Sequence, residues 1–360
     1  MLCRRGKGGP GQGAAIAAVA VALTTVAPAE ARERHAPIAS VPVHFRVANS
    51  NTSALPCASD GRAYTVRGHL TGPRRALAHP RAVAVYLFGY DAGEWNWRLR
   101  AVRGYDHAAQ MARRGHVSLT IDQLGWGASD RPDGMATCVG AQADMAHQLV
   151  AMLMTGRYAA SGRRAPRFSR VLIAGHDIGG LIAEIEAYSY RDVDGLIQVT
   201  WADQGFTPWI VQRATVAAFD WCATDAGPSA SGEPAGYHHY TASRGEFRRE
   251  LFFRPDPRVL DAAGRLRSRN PCGVIRSAPQ GASLDKARAP EITVPVLVMF
   301  GAEDTLVWTR DGQEAQEANF SESRDTRTVF VPRAGHFPML ERTAPLFRDA
   351  LASWLTRHGA

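Results

Sequence analysis

The 360-residue sequence has no pair of cysteines at Cys-x-x-Cys spacing, which excludes the common zinc-ribbon and dithiol redox arrangements. It also lacks any apolar segment of the roughly 20 residues that a membrane-spanning helix needs. The formal charge is +8, yet the arginines are scattered beside Asp and Glu, with no basic tract and no interleaved aromatics. Nucleic acid is therefore not an expected partner, and neither is stable membrane insertion. The glycines at Gly68–Gly72 and near Gly125 do not have the spacing of a phosphate loop or a dinucleotide fingerprint. With no recognisable metal-ligand cluster either, the expectation is no cofactor and no metal.

What is present is an ordinary globular composition, 45% hydrophobic, long enough to bury a sizeable core in one large domain or in one domain carrying an insertion. The N-terminus reads as an export signal. Arg4, Arg5 and Lys7 precede a 13-residue apolar run, Ala14–Val26, and Ala29-Glu30-Ala31 offers a small-x-small cleavage site. Residues 1–31 are thus expected to be removed and the mature chain to be secreted. That cleavage takes Cys3 and leaves Cys57, Cys138, Cys222 and Cys272, an even number suited to two disulfides. The favoured pairing joins Cys57 to Cys138 and Cys222 to Cys272, because the latter two fall within one insertion.

Short apolar runs bounded by Gly, Pro and charge alternate with longer amphipathic stretches, the pattern of a mainly parallel α/β sheet covered by helices. Eight strands are expected: Val43–Ala48, Tyr64–Leu70, Ala82–Phe88, His116–Ile121, Arg170–Ala174, Gly195–Trp201, Val294–Phe300 and Thr328–Val331. The first two are close together and should pair antiparallel. Helices are expected over Tyr105–Arg114, Gln142–Thr155, Leu181–Tyr190, near Gln313–Asn319, and over Ala344–Arg357. About 90 residues separate the sixth strand from the seventh, too many for a plain connection. The implied organisation is a core over 32–202 and 292–360 with a lid over 203–291 that includes the turn-rich stretch Gly227–Pro234.

The strongest local signal is Val171-Leu-Ile-Ala-Gly175-His-Asp177-Ile-Gly179-Gly180, a buried strand meeting a Gly-x-Asp-x-Gly-Gly turn and then a helix. Such a turn presents its central side chain at a helix N-terminus, where negative charge is favoured and the amide of Ile178 is at hand. Further blocks follow in order around it. Phe88-Gly89-Tyr90-Asp-Ala-Gly-Glu-Trp95 follows the third strand and Asp122-Gln-Leu-Gly-Trp-Gly-Ala-Ser-Asp-Arg-Pro132 the fourth. Phe300-Gly-Ala-Glu-Asp304 follows the seventh, and Ala334-Gly-His336-Phe-Pro the eighth.

On these five blocks the chain resembles the α/β-hydrolase superfamily from about Tyr64 to its C-terminus, with the family's order of nucleophile, acid and histidine. The resemblance implies an eight-stranded α/β-hydrolase fold, with Asp177 as nucleophile, His336 as base and Asp304 as the acid orienting that base. Asp203, at the end of the sixth strand, is the alternative acid, and His176 is read as structural. Ile178 and an amide of Gly89 or Tyr90 are the expected oxyanion donors, although the loop has Phe88-Gly89 where the family has His-Gly. Most members carry Ser at the elbow. Those with Asp include epoxide hydrolases and dehalogenases, in which the carboxylate displaces a leaving group from an sp³ carbon and forms an alkyl ester. Dehalogenases commonly have Trp after that Asp, and Ile178 here favours epoxides. The lid tyrosines Tyr237 and Tyr240 are candidates to protonate an opening epoxide oxygen. The expected partner is a small, largely apolar molecule. A non-catalytic binding protein and an esterase-lineage member with an altered nucleophile are the alternatives.

Overall fold

The structure, a computed structural model, describes residues 37–224 and 234–360; the expected signal segment 1–31 and nearly all of the Gly227–Pro234 turn lie outside them. Among the described residues eight strands carry the fold: β1 Ile38–Ala48, β2 Ala63–Pro73, β3 Ala82–Leu87, β4 Ser118–Asp122, β5 Arg170–His176, β6 Leu196–Val199, β7 Val296–Gly301 and β8 Thr326–Val331. They lie in the order β8-β7-β6-β5-β3-β4-β2-β1, and a two-residue strand, Ala159–Ala160, pairs with the outer edge of β1. The β1–β2 and β2–β4 pairs and the short pairing of Ala159–Ala160 with β1 are antiparallel, and the remaining pairs of this sheet are parallel, as the α/β reading expects.

Strand β3, Ala82-Val-Ala-Val-Tyr-Leu87, is buried along nearly its whole length, which is why it reads as a continuous apolar run rather than an alternating one. Each such apolar side chain contributes roughly 1.5–3 kcal/mol on burial. Strand β1 begins at Ile38, earlier than the expected Val43. Its first residues, Ile38-Ala-Ser-Val-Pro42, are only partly buried or exposed, and the ladder to β2, from Ile38 opposite Pro73 onwards, holds them.

Handedness places the helices. Among them α1 is His107–Arg113, α2 Val139–Thr155 and α3 Ile178–Tyr190. The β3–α1–β4 crossover runs toward the β1 edge, whereas β4–α2–β5 and β5–α3–β6 run the opposite way; right-handed crossovers therefore put α1 on one face and α2 and α3 on the other. The strand order reverses beside β3, so a crevice opens at the carboxyl ends of β3 and β5.

Between β6 and β7 the chain forms α4 Pro208–Thr215, a π-helical turn Val216–Trp221, α5 Arg244–Glu250, α6 Pro257–Leu266 and α7 Cys272–Arg288. Helix α7 returns to pack on α2 and α3. After β7 come α8 Arg310–Ala315 and, at the C-terminus, α9 Ala344–Arg357, which packs beside α1. Two cystines are formed, Cys57–Cys138 with Cα atoms 6.2 Å apart and Cys222–Cys272 at 5.3 Å. The first ties the loop after β1 to the start of α2, and the second ties the end of the π-helical turn to the start of α7.

A buried carboxylate, Asp91, joins the loop after β3 to this inserted region. Its oxygens accept the backbone N–H groups of Tyr240 at 2.7 Å and Thr241 at 2.9 Å, the Thr241 hydroxyl, and the Asn270 side-chain amide at 2.9 Å. Burial works against its ionisation, but His239, Thr241 and Arg267 hold the carboxyl below its ordinary range. Replacing Asp91 with Ala leaves those donors buried and unmatched, at a cost of about 3 kcal/mol. Urea unfolding should report that loss, and a loss under ~1 kcal/mol would show that Asp91 does not anchor the insertion. The Cys222–Cys272 bond closes a loop of 50 residues, so a Cys222→Ala, Cys272→Ala pair should lose about 4 kcal/mol. Unreduced peptide mapping should recover Cys222 and Cys272 in one linked fragment, and free thiols at both positions would contradict this bond.

Candidate active site

Strand β5 ends at His176, and the chain turns at Asp177, with φ 52° and ψ −126°, before α3 begins at Ile178. This backbone conformation is strained for a residue with a Cβ and costs on the order of 1–3 kcal/mol. A Cβ on Gly175 would lie 1.9 Å from the carbonyl oxygen of Gly179, and one on Gly89 would lie 2.6 Å from the Cβ of Asp177. No side chain fits at either position, so the strand, the helix and the loop after β3 can close on Asp177. Helix α3 starts three residues before the expected Leu181, because Gly179 and Gly180 serve this close packing and do not break the helix.

The carboxylate of Asp177 is held in one orientation. Its Oδ2 accepts the backbone N–H of Tyr90 at 2.8 Å, while Oδ1 faces His336 Nε2 at 3.5 Å. On the other side of the imidazole, His336 Nδ1 donates to Asp304 Oδ2 at 2.9 Å. The four groups thus come from the carboxyl ends of β3, β5, β7 and β8. The Ile178 amide, at the first position of α3, has no acceptor within the helix. Gly89 contributes its lack of a side chain, and Tyr90 contributes the N–H.

Charge coupling sets the protonation of the site. Burial works against a charge on His336, but Asp304 and Asp177 on its two sides push its pKa up to about 10. Burial likewise works against ionised Asp177, yet His336 and the Tyr90 amide hold it below the ordinary carboxylate range. At neutral pH the arrangement is one imidazolium between two carboxylates. His176 is driven down to about 3 by burial and by the charge on His336, and is therefore neutral. Its Nε2 donates to the carbonyl oxygen of His336 at 2.8 Å, which gives His176 a positioning role.

A cavity of about 510 Å³ opens beside Asp177. Its wall is mainly apolar, built from Ile178, Trp201, Phe206, Ile210, Val211, Phe219, Ile275, Pro279 and Trp308. Tyr240 lines it too, its ring stacked on that of Tyr90 with centroids 4.2 Å apart.

Two expected site residues take no part in the contacts of His336, although Asp203 lines the same cavity as Asp177. Asp203 makes no hydrogen bond to His336; its carboxylate accepts from Trp201 Nε1 at 3.1 Å, Gln316 Nε2 at 3.0 Å and Asn319 Nδ2 at 3.0 Å, and burial raises its pKa. Asp304, rather than Asp203, is the carboxylate against the imidazole. Tyr237 is turned away, its hydroxyl donating to the Pro132 carbonyl at 2.9 Å, because the short pairing with Pro271 sets its direction.

Other residues that hold the site were not visible in the sequence. Thr200, at φ 51°, donates its hydroxyl to the His336 carbonyl at 3.1 Å. Glu341, fully buried, accepts the backbone N–H groups of Phe253 at 2.6 Å, Arg254 at 3.0 Å and Gly335 at 3.3 Å, so it pins the histidine loop to the inserted region. These contacts join residues remote in sequence and belong to no local motif.

Solved structures with the same fold include a malate-bound thermophilic esterase from Thermogutta terrifontis, at 20% identity and TM-score 0.60, covering 88% of this chain and 100% of that one. An enol-lactonase from Burkholderia xenovorans LB400 aligns at 17% identity and TM-score 0.56, covering 81% of this chain and 97% of the other. The epoxide hydrolase CorEH aligns at 18% identity and TM-score 0.53, covering 88% and 99%. A comparison with curated proteins returns no match. A model of the alpha/beta hydrolase family matches residues 77–349, most of the chain, and the protein belongs to that family.

Proposed function

We propose that this chain is a secreted hydrolase that opens small, largely apolar epoxides through a covalent ester on Asp177. The observation that carries the reading is the placement of that carboxylate at the cavity wall, with Oδ2 on the Tyr90 amide and Oδ1 facing His336. A carboxylate is a poor group for acyl transfer but a competent one for displacement at an sp³ carbon. The two cystines support export, since such bonds persist in oxidising compartments.

In the first step Oδ1 attacks an epoxide carbon and the carbon–oxygen bond of the ring breaks. The alkoxide takes its proton from the Tyr240 hydroxyl, whose pKa is raised by burial and by Asp177. Tyr240 acts alone, since Tyr237 is bonded to Pro132. Esterification removes the charge of Asp177, one of the two carboxylates that hold a proton on His336. That proton passes to the phenolate left on Tyr240, which restores its hydroxyl, and the neutral imidazole then serves as base. Water, deprotonated by His336, attacks the ester carbonyl of Asp177; the developing oxyanion lies at Oδ2, where the Tyr90 and Ile178 amides meet it. Collapse releases the diol and restores the carboxylate.

A panel of aliphatic and aryl epoxides, haloalkanes and p-nitrophenyl esters tests the substrate class, with turnover of epoxides expected to exceed that of the other two. His336→Gln should form the ester without hydrolysing it, so intact mass should rise by one substrate and the adduct should map to the peptide holding Asp177. Asp177→Ala should lose at least about 10⁴-fold in turnover. Epoxide turnover without any adduct, or turnover that survives Asp177→Ala, would remove Asp177 as nucleophile. Tight binding of a panel compound without turnover would favour a binding protein on this scaffold.

The ion pairs also predict a pH dependence of stability. A histidine raised from its ordinary 6.5 to about 10 contributes stability that is fully present below pH 6.5 and is lost as pH rises through about 10. The deficit of His336→Gln in urea unfolding should therefore be largest below pH 6.5 and close toward pH 10. A deficit independent of pH would mean that the imidazole is not charged between the two carboxylates.

A further inference from the structure

At the far end of α3 from Asp177, three side chains converge that play no part in the chemistry above. His147 comes from α2, Glu186 from α3, and Asp192 from the turn after α3. One donor atom from each lies within 4.8 Å of the other two. His147 Nδ1 is 2.7 Å from Asp192 Oδ2, and the ring is fixed by stacking on Tyr190 with centroids 4.0 Å apart. Glu186 is fully buried, and neither of its carboxylate oxygens receives a donor; Oδ1 of Asp192 is buried and lacks one as well. Among the described residues no Arg or Lys forms an ion pair with either carboxylate. Three carboxylate oxygens receive no donor from any other group, so the two acids either share one proton between them or are held by a cation.

We propose that His147, Glu186 and Asp192 bind one divalent transition-metal ion, of the chemical type of zinc. A mixed set of one imidazole nitrogen and two carboxylate oxygens suits zinc better than calcium or magnesium, which take oxygen ligands throughout. The ion neutralises both acids and satisfies Glu186, whose carboxyl burial and Asp192 otherwise push well above its ordinary range. The His147 and Asp192 side chains are 34% and 25% exposed, which leaves an entry path and room for water to complete the coordination. The ion would tie α2 to the end of α3, the helix that begins at the elbow. The sequence has no signal for it, because the ligands are separated by up to 45 residues across three elements.

The full secreted chain, stripped with a chelator, can be titrated with zinc chloride by calorimetry and followed by thermal unfolding. One zinc per chain is expected at this site, with the melting temperature raised by several degrees in slight zinc excess and restored by chelator. Glu186→Gln and Asp192→Asn should each keep the metal-free unfolding curve, weaken zinc by about tenfold or more, and abolish the thermal shift. If one variant fails to fold, the other gives the comparison. Zinc binding and a thermal shift that are absent in the wild type, or unchanged in the folded variants, would show that a shared proton and not a metal occupies the cluster. A response to calcium without one to zinc would overturn the assignment of the ion.

Discussion

Everything at the site depends on one close approach, where the turn after β5 meets the end of β3 and the loop after it with no room for a Cβ at Gly179 or Gly89. That approach lets the Tyr90 N–H reach Asp177 Oδ2 at 2.8 Å, and the strained turn aims the rest of the carboxylate into the cavity. The strain of ~1–3 kcal/mol is offset by the β5 core, whose apolar residues Val171 to Ala174 are fully buried between two parallel neighbours. The histidine loop is brought to the same place by longer-range ties. Its carbonyl is held by His176 and Thr200, and its following turn by Glu341. A shift in any of these would move the imidazole relative to Asp177, where the gap is already 3.5 Å.

The second organising fact is that one imidazole serves two carboxylates in a nearly dry place. Two acids side by side without it would repel each other across low-dielectric protein, and a lone imidazolium would lose its charge to desolvation. The imidazolium and the Asp177 carboxylate stabilise each other's charge, which explains how Asp177 stays ionised against an apolar cavity wall. The same coupling makes the state of His336 depend on the charge of Asp177. An elbow serine, neutral at rest, would not hold the imidazole protonated in this way. The electrostatics of this triad therefore differ from those of a serine member of the same fold.

Much of this was legible in the sequence where the signal is local. Buried parallel strands read as apolar runs and the first two as a close antiparallel pair, so all eight were located, and right-handed crossovers then fix the order of the carboxyl ends. The glycine-flanked Asp177, with Asp304 and His336 each following a strand, marked the residues that the fold brings together. What could not be read was direction. Tyr237 and Tyr240 are three residues apart, yet one hydroxyl is bonded to Pro132 and the other ring lines the cavity, because Pro271 pairs with the first and Tyr90 stacks on the second. Asp203 and Asp304 both follow strands of one edge, and the difference between them lies in Trp201, Gln316 and Asn319, which capture Asp203. Contacts of this kind, like those of Asp91, Thr200 and Glu341, join positions remote in the chain.

The inserted region is fastened at both ends of the cavity, and this bears on what can enter. Asp91 holds Tyr240 and Asn270 to the loop that also supplies the Tyr90 N–H, and the Cys222–Cys272 bond fixes the π-helical turn to α7. The wall facing Asp177 is therefore built on anchored elements, while the apolar side chains of Phe206, Val211 and Phe219 remain 37%, 54% and 65% exposed around the cavity. An exposed apolar rim over an anchored apolar wall favours a molecule that sheds its water on entry. As that water leaves, the Asp177 carboxylate acts through a medium of lower dielectric, and its charge is felt more strongly by the atoms closest to it.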